Sequence, residues 1–305
     1  MGASIRAASG VRRGTRRSGR RHDAIGWASV PALIAVAVLY LGPLLGAATI
    51  SVLRSTLGGV TAQFTTLNYQ VALSNANFWN SLVRVLQWAL VAVPVQVAVA
   101  LALALGVSSV RIPGVRYARV LLALPMFIPA IVTAYAWKWM LIGVYGLLTY
   151  ATRVLLGHPV PWIDSTQVAW ISVLMADSWR AIPFLTLILY AATSGVPRDL
   201  VEAAVTDGAS SSRVVSRIII PTIAPALWLC AVIRLIDLSK MFVIPDIMTQ
   251  GGPAFSTETP SMVVYQDAFL YGNYGSASAE SLIFTAAVAA VVLLYLWRGA
   301  VRYET

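Results

Sequence analysis

An all-α integral membrane protein, with six transmembrane helices and a short polar helix between the fourth and the fifth, is the fold class this sequence predicts. Composition is the first reason. Of 305 residues, 58% are hydrophobic and only 11% charged, against about 25% charged in soluble globular domains. Segregation is the second. Neither the run from Ala24 to Leu53 nor that from Val85 to Val110 contains a charged side chain, and about 20 apolar residues suffice to cross a hydrocarbon core. The third is the stretch LVEAAVTDGASSSRVVSRIIIP at 200–221, too charged to span and too patterned to be an arbitrary loop.

Residues 1–25 read as a basic cytoplasmic tail. Seven arginines lie between Arg6 and Arg21, which accounts for most of the net charge of +10 without a nucleic-acid partner. The apolar run that follows is about twice the ~7–15 residues of a cleaved leader. Apolar runs bounded by charges and turn residues then give spans at about 26–53, 79–109, 117–143, 167–194, 215–241 and 277–298. Residues 26–298 form one transmembrane domain, and 299–305 a second tail. Fifteen of the 22 cationic residues fall in the N-terminal tail, at the C-terminal end (Arg298 and Arg302) and in the segments 111–119 and 198–217, whereas the opposite loops hold only Arg54 and Arg153. The positive-inside rule therefore puts both termini and the polar stretch in the cytoplasm of a cell-membrane protein.

Proline recurs inside the spans, among others at Pro94, Pro125, Pro129, Pro183, Pro221 and Pro225. Each removes a backbone donor and tends to kink its helix. Bent helices suit a bundle that encloses a pathway, and tolerated kinks suit one that does not. Cys230 is the only cysteine, within an apolar run, and reads as a small packed side chain. His22 and His158 are too isolated to suggest a metal site, so none is expected.

Charges within spans are costly, at about 2.5–3.5 kcal/mol for a central Lys, Arg or Asp, and therefore mark a bundle interior or a wet cavity. Here they include Arg84, Lys138, Asp177, Arg180, Arg234, Asp237 and Lys240. Asp177 and Arg180 are three apart, as are Arg234 and Asp237, so each pair shares a helix face and is expected to neutralise itself. Lys138 and Lys240 lie near the outer boundary and are expected to snorkel towards it. Ion bridges that fix packing explain the paired charges as well as a polar pathway does. The neighbouring Tyr135, Trp137, Trp139 and Trp179 favour a pathway that takes sugars. Its lining is assigned to Trp137, Lys138, Asp177, Arg180, Arg234 and Asp237.

The polar stretch has helix punctuation. Pro197 suits the first helical position, Asp199 and Glu202 favour the positive helix end, and Gly208 suits a C-terminal stop. Ser210 to Ser212 are placed to cap a further helix. Ala203 and Ala204 leave little bulk. The product, over about 197–212, is a short helix at the membrane mouth that offers a small-residue patch ringed by charge to a cytoplasmic partner.

At these residues the chain resembles the binding-protein-dependent ABC importer permeases of the carbohydrate-uptake, MalF/UgpA-like, type. The stretch EAAVTDGASSSRVVSRIIIP is similar to their EAA loop, with Glu202, Ala203, Ala204, Asp207, Gly208 and Pro221 on the pattern. LNYQVALSNANFWNSL (67–82), LPMFIPAIVTAYAWKW (124–139), the approach to the loop at 178–204 and TQGGPAFSTET (249–259) resemble further segments in the same order. The resemblance implies a non-enzymatic transport subunit that pairs with a second, similar permease. It implies two ATPase subunits that each receive one EAA helix, and an extracytoplasmic solute-binding protein that delivers a di- or oligosaccharide. A glycerol phosphodiester is the alternative cargo. ATP and Mg would bind the partners and no cofactor would bind this chain. Independently, the only lysines are Lys138 and Lys240, and neither has a P-loop context. One departure is Phe242-Val243 where relatives often carry Phe-Asp, with Asp246 displaced by three. An ion-coupled secondary transporter, with Asp177 and Asp237 as relays, would leave the polar helix unexplained.

Overall fold

The computed structural model describes residues 19–56, 59–109, 115–143 and 145–301. The expected tails at 1–25 and 299–305 lie largely outside them. Residues up to Thr49 form one unit and Ile50–Thr305 another. Helix α1 (Gly19–Ser51), most of which lies in the first unit, is continuous through Pro31 and Pro43. The Thr49 hydroxyl folds back onto the carbonyls of Leu45 and Gly46, at 3.0 and 2.8 Å, which satisfies its donor inside an apolar helix.

The second unit begins with a hairpin in a segment expected to be loop, β1 (Leu53–Thr56) paired antiparallel with β2 (Gly59–Phe64). It is followed by α2 (Leu67–Ser74) and the long α3 (Ala76–Ser109). Asn68 Nδ2 clamps the hairpin by donating to Ser51 O and Leu53 O, at 2.9 and 2.8 Å. A Cβ at Gly275 would lie 2.5 Å from the Asn68 amide, so only glycine permits this approach at the start of the last span.

Two spans are broken rather than kinked. The third runs through α4 (Val115–Ala123), a 3₁₀ turn (Leu124–Phe127) and α5 (Ala130–Leu141), with a bend of 100°. Ile128, ahead of Pro129, is extended (φ −77°, ψ 127°), because a residue before proline is driven out of the helical region. The fifth comprises α9 (Ser211–Val214), a π-turn (Val215–Ile219), α10 (Ile220–Thr222) and α11 (Ala224–Ser239), and bends by 70°. The π-turn immediately precedes Pro221, whose missing N–H leaves a helical carbonyl unpaired, and the break at Ile223 precedes Pro225. Pro94 and Pro183 remain within continuous helices.

Between them lie α6 (Leu147–Leu156), the fourth span α7 (Ala169–Ser194) and α8 (Arg198–Thr206). After α11 come the short α12 (Val243–Thr249) and α13 (Pro260–Tyr265), a π-turn (Gln266–Leu270) and the last span, α14 (Tyr274–Val301). Helices α6, α12 and α13 occupy segments expected to be loops, being too short to register as spans. Among the described residues, four helices are long and apolar enough to cross a membrane, and the two bent pairs bring the number to six.

The packing axis is α3 against α7 and α11. Trp88, Ala92, Gln96, Ala100 and Ala104 recur every four residues on α3, and all are buried. Spacing of four lays them on one ridge, and the small alanines let helix backbones approach closely in lipid. The upper part of this ridge meets Val173, Ala176 and Leu238, and the lower part Leu185, Leu189 and Cys230. Cys230 is a fully buried packed side chain, as expected.

Candidate functional site

Helix α8 carries the polar stretch. It starts one residue after Pro197, which sits at the N-cap rather than the first helical turn, and it has no buried residue. Asp207 N and Ala209 N close its end on the carbonyls of Ala203 and Ala204, both at 2.9 Å. Gly208 stands in the left-handed region (φ 78°), and a methyl group there would meet none of the described residues within 4 Å. Its glycine is thus a requirement of backbone geometry and not of space. Glu202 and Ala203 are exposed and Ala204 half-buried. The expected helix over 197–212 is therefore shorter, 198–206, and Ser210 begins α9 from the N-cap position without a side-chain capping bond. Its hydroxyl instead meets Ser212 Oγ at 3.2 Å.

The intramembrane charges assemble differently from their sequence spacing. Asp177 does not pair with Arg180. Its Oδ2 accepts from Arg234 Nη2 at 2.5 Å, across from α11 to α7. Gln96 on α3 completes the junction, donating to Asp177 Oδ2 at 3.1 Å and to Ser178 Oγ at 2.8 Å, while its Oε1 accepts from Arg234 Nε at 2.7 Å. The side chains of Arg234 and Asp177 are 3% and 6% exposed, so water does not screen the pair. Three helices thus meet at one satisfied polar knot. Hydrogen bonds between helices outrank helix-face spacing here because a guanidinium in an apolar bundle must find a carboxylate within its own reach.

The i,i+3 pair expected of Arg234 and Asp237 exists, at 3.6 Å, as the looser contact, and Asp237 also bridges Lys240 at 3.1 Å. Lys240 is exposed. Lys138 is held instead of snorkelling freely, donating to Ile247 O on α12 at 2.8 Å. Arg180, Arg234 and Asp237 line a small pocket of about 140 Å³ together with Met126 at the break of the third span. Arg180 Nε is buried there without a partner among the described residues. Small-ligand sites run to about 300–1,000 Å³, so this is a polar recess in a wall. Trp137 packs against the apolar core and does not line it.

Gln96 escapes a search for charged residues because it is uncharged. Its signal is position: one amide in the middle of an alanine ridge of spacing four. The segment 249–259 also carries more structure than its sequence suggests. Thr249 and Thr257 hydroxyls meet at 2.6 Å, and Thr257 closes on Gly251 O and Gly252 O at 3.0 and 2.9 Å. Gln250, Ala254 and Phe255 adopt positive φ, a strained conformation for non-glycine residues held by this surround. The loop ends in Glu258, whose carbonyl accepts from Arg84 Nη1 at 2.5 Å. Burial holds the Glu258 carboxyl above the usual carboxylate range, against the opposing pull of Arg84.

Residues 96–302 match the family model described as binding-protein-dependent transport system inner membrane component. The chain is 31% identical over 276 residues to the trehalose/maltose transport system permease protein MalF of Thermococcus litoralis, covering 90% of this chain and 93% of that one. It is 31% identical over 261 residues to the sn-glycerol-3-phosphate transport system permease protein UgpA of Rhizobium meliloti, covering 85% and 88%. The fold matches a chain of a bacterial ABC transporter involved in import of the acidic polysaccharide alginate, with a TM-score of 0.78, 17% identity and 92% and 96% coverage. Six spans, two of them broken, and an exposed helix between the fourth and fifth accord with these matches: the chain is a multi-pass membrane protein, a transport component and not an enzyme, and belongs to the inner-membrane permease family of binding-protein-dependent ABC importers.

Proposed function

We propose that the chain forms half of the translocation pathway of an ATP-driven importer for a di- or oligosaccharide, and that α8 is its coupling helix. On this reading both termini and α8 face the cytoplasm of a prokaryotic cell. Two ATPase subunits dock below, one of them on α8. A second permease lies alongside, and an extracytoplasmic binding protein delivers the sugar. ATP and Mg act in the partner subunits. The observation that carries the reading is α8 itself: a helix with no buried residue, bearing Glu202, Ala203 and Ala204 and stopped by Gly208, on a chain with no P-loop of its own. A movement imposed on α8 passes through a short turn into α9 and the broken fifth span, whose α11 carries Arg234.

A glycerol phosphodiester is the second reading, favoured by the UgpA relative and by cationic excess along the spans. That excess is narrower than the residue count suggests. Arg234 is matched by Asp177 and Lys240 by Asp237, which leaves Arg180 and the carbonyl-bound Arg84 and Lys138.

The test is ATP-dependent uptake of labelled maltose, trehalose and sn-glycerol-3-phosphate by the complete importer in proteoliposomes. Glu202→Ala and Gly208→Val are expected to cut uptake at least tenfold while membrane insertion is intact, since a β-branched residue at positive φ costs about 1–2 kcal/mol and distorts the docking face. Full ATP-dependent uptake by both variants overturns the coupling role.

A further inference from the structure

A second pocket, apart from the polar knot, opens beside α3. It measures about 290 Å³, the lower end of small-ligand sites, and is lined by Arg84, Gln87, Trp88, Val91, Trp170 and Ser256. Its position on α3 is informative. Asn80, Arg84 and Gln87 follow at spacings of four and three, one face of a helix. Asn80 and Gln87 are exposed and Arg84 is half-buried. An arginine and an amide in a spanning helix face a bundle interior or water, not hydrocarbon.

The pocket wall is built by the strained loop. Arg84 Nη1 is fixed on Glu258 O at 2.5 Å, and among the described residues the other guanidinium N–H groups make no hydrogen bond. The Ser256 hydroxyl, out of contact with solvent, is also without a partner among the described residues. Trp88, buried at 4%, and the half-buried Trp170 form the apolar side. Two indoles beside an oriented guanidinium and an amide are a composition for a ligand with one apolar ring face and many hydroxyls around its edge. A bare phosphate ester would leave the indoles unused.

We propose that this pocket binds a pyranose unit of the transported sugar, with the indoles against the ring and Arg84 and Gln87 donating to its hydroxyls. The inference rests on the importer reading above and names a subsite of it. Neither the charge network nor α8 contributes to it.

The test uses the complete importer in proteoliposomes, with Gln87→Cys in a Cys230→Ala background, which leaves one thiol in this chain. A membrane-impermeant maleimide is added from outside, with maltose, trehalose or sn-glycerol-3-phosphate as protectant. The introduced thiol is expected to react, and maltose or trehalose to slow the reaction at least fivefold while sn-glycerol-3-phosphate leaves it unchanged. Gln87→Leu and Arg84→Gln, the latter keeping an N–H for Glu258 O, are expected to raise the KM of uptake at least tenfold. Both variant complexes should be recovered from the membrane and melt as the parent does, which a misfolded pocket would not allow. An unreactive thiol, protection by sn-glycerol-3-phosphate alone, or an unchanged KM in both variants overturns the proposal. Uptake by the parent importer without sugar protection sinks the pocket alone. Absence of uptake of all three probes counts against the importer reading itself.

Discussion

Removing Arg234 tests whether the knot of α3, α7 and α11 is structural. In Arg234→Met the Asp177 carboxylate keeps only Gln96 Nε2, at 3.1 Å. Its side chain is 6% exposed, so water does not replace the lost guanidinium. Leaving one member of a buried pair unpaired costs about 3–5 kcal/mol. The Asp237 contact adds little, because that side chain is 41% exposed and exposed pairs contribute about 0–1 kcal/mol. At about 2–4 °C per kcal/mol for a chain of this size, the melting temperature should fall by roughly 6–20 °C, read from intrinsic tryptophan fluorescence of the detergent-purified complex. Asp177→Leu combined with Arg234→Met removes both charges. Such apolar replacements of a buried pair are neutral or stabilising by about 1–4 kcal/mol in other proteins, so the double variant should recover most of the loss. A double variant no better than the sum of its singles, with coupling below about 0.5 kcal/mol, refutes the network as a stabilising unit. Uptake by the recovered double variant then separates the two roles: transport retained makes the pair packing, and transport lost with the fold intact makes it part of the pathway.

Two further outcomes follow from the outer segments. Lys138→Met strips the donor from Ile247 O and should cost about 1.5–3 kcal/mol as a charged hydrogen bond between α5 and α12; reduced uptake at unchanged melting temperature would instead make Lys138 a pathway cation. Glu258 has a folded-state pKa raised above its ordinary 4.5, so the native state holds its proton more tightly than the unfolded chain. Its favourable contribution is complete at low pH and is lost as pH rises through the raised value. Glu258→Gln should therefore match the parent below about pH 4.5 and melt increasingly higher than it as pH rises through the raised value, and a difference independent of pH would refute the buried-carboxyl account.

The lipid solvent, the number of spans and the existence of the helix before Gly208 were legible from the sequence, since each follows from local rules: length of apolar runs, proline and glycine punctuation, and charge sorting. The breaks at Pro129 and Pro221–Pro225 were legible as prolines, but Pro94 and Pro183 carry the same signal and stay within continuous helices. Local chemistry names the missing donor, and only neighbouring helices decide whether the backbone bends.

The charge partners belong wholly to the tertiary level. Asp177 has Arg180 three residues away, and sequence spacing favours that pair. The structure joins Asp177 to Arg234, 57 residues distant, through Gln96, because α3, α7 and α11 converge where the alanine ridge lets them touch. Likewise Arg84 meets Glu258 O only because the Thr249–Thr257 closure turns the loop back onto α3. Sequence alone determined what this chain must be dissolved in and which helix it leaves outside. Tertiary packing decided which polar groups satisfy one another and which remain free to meet a ligand, because a buried group takes the partner that the fold brings within about 3 Å, wherever it lies along the chain.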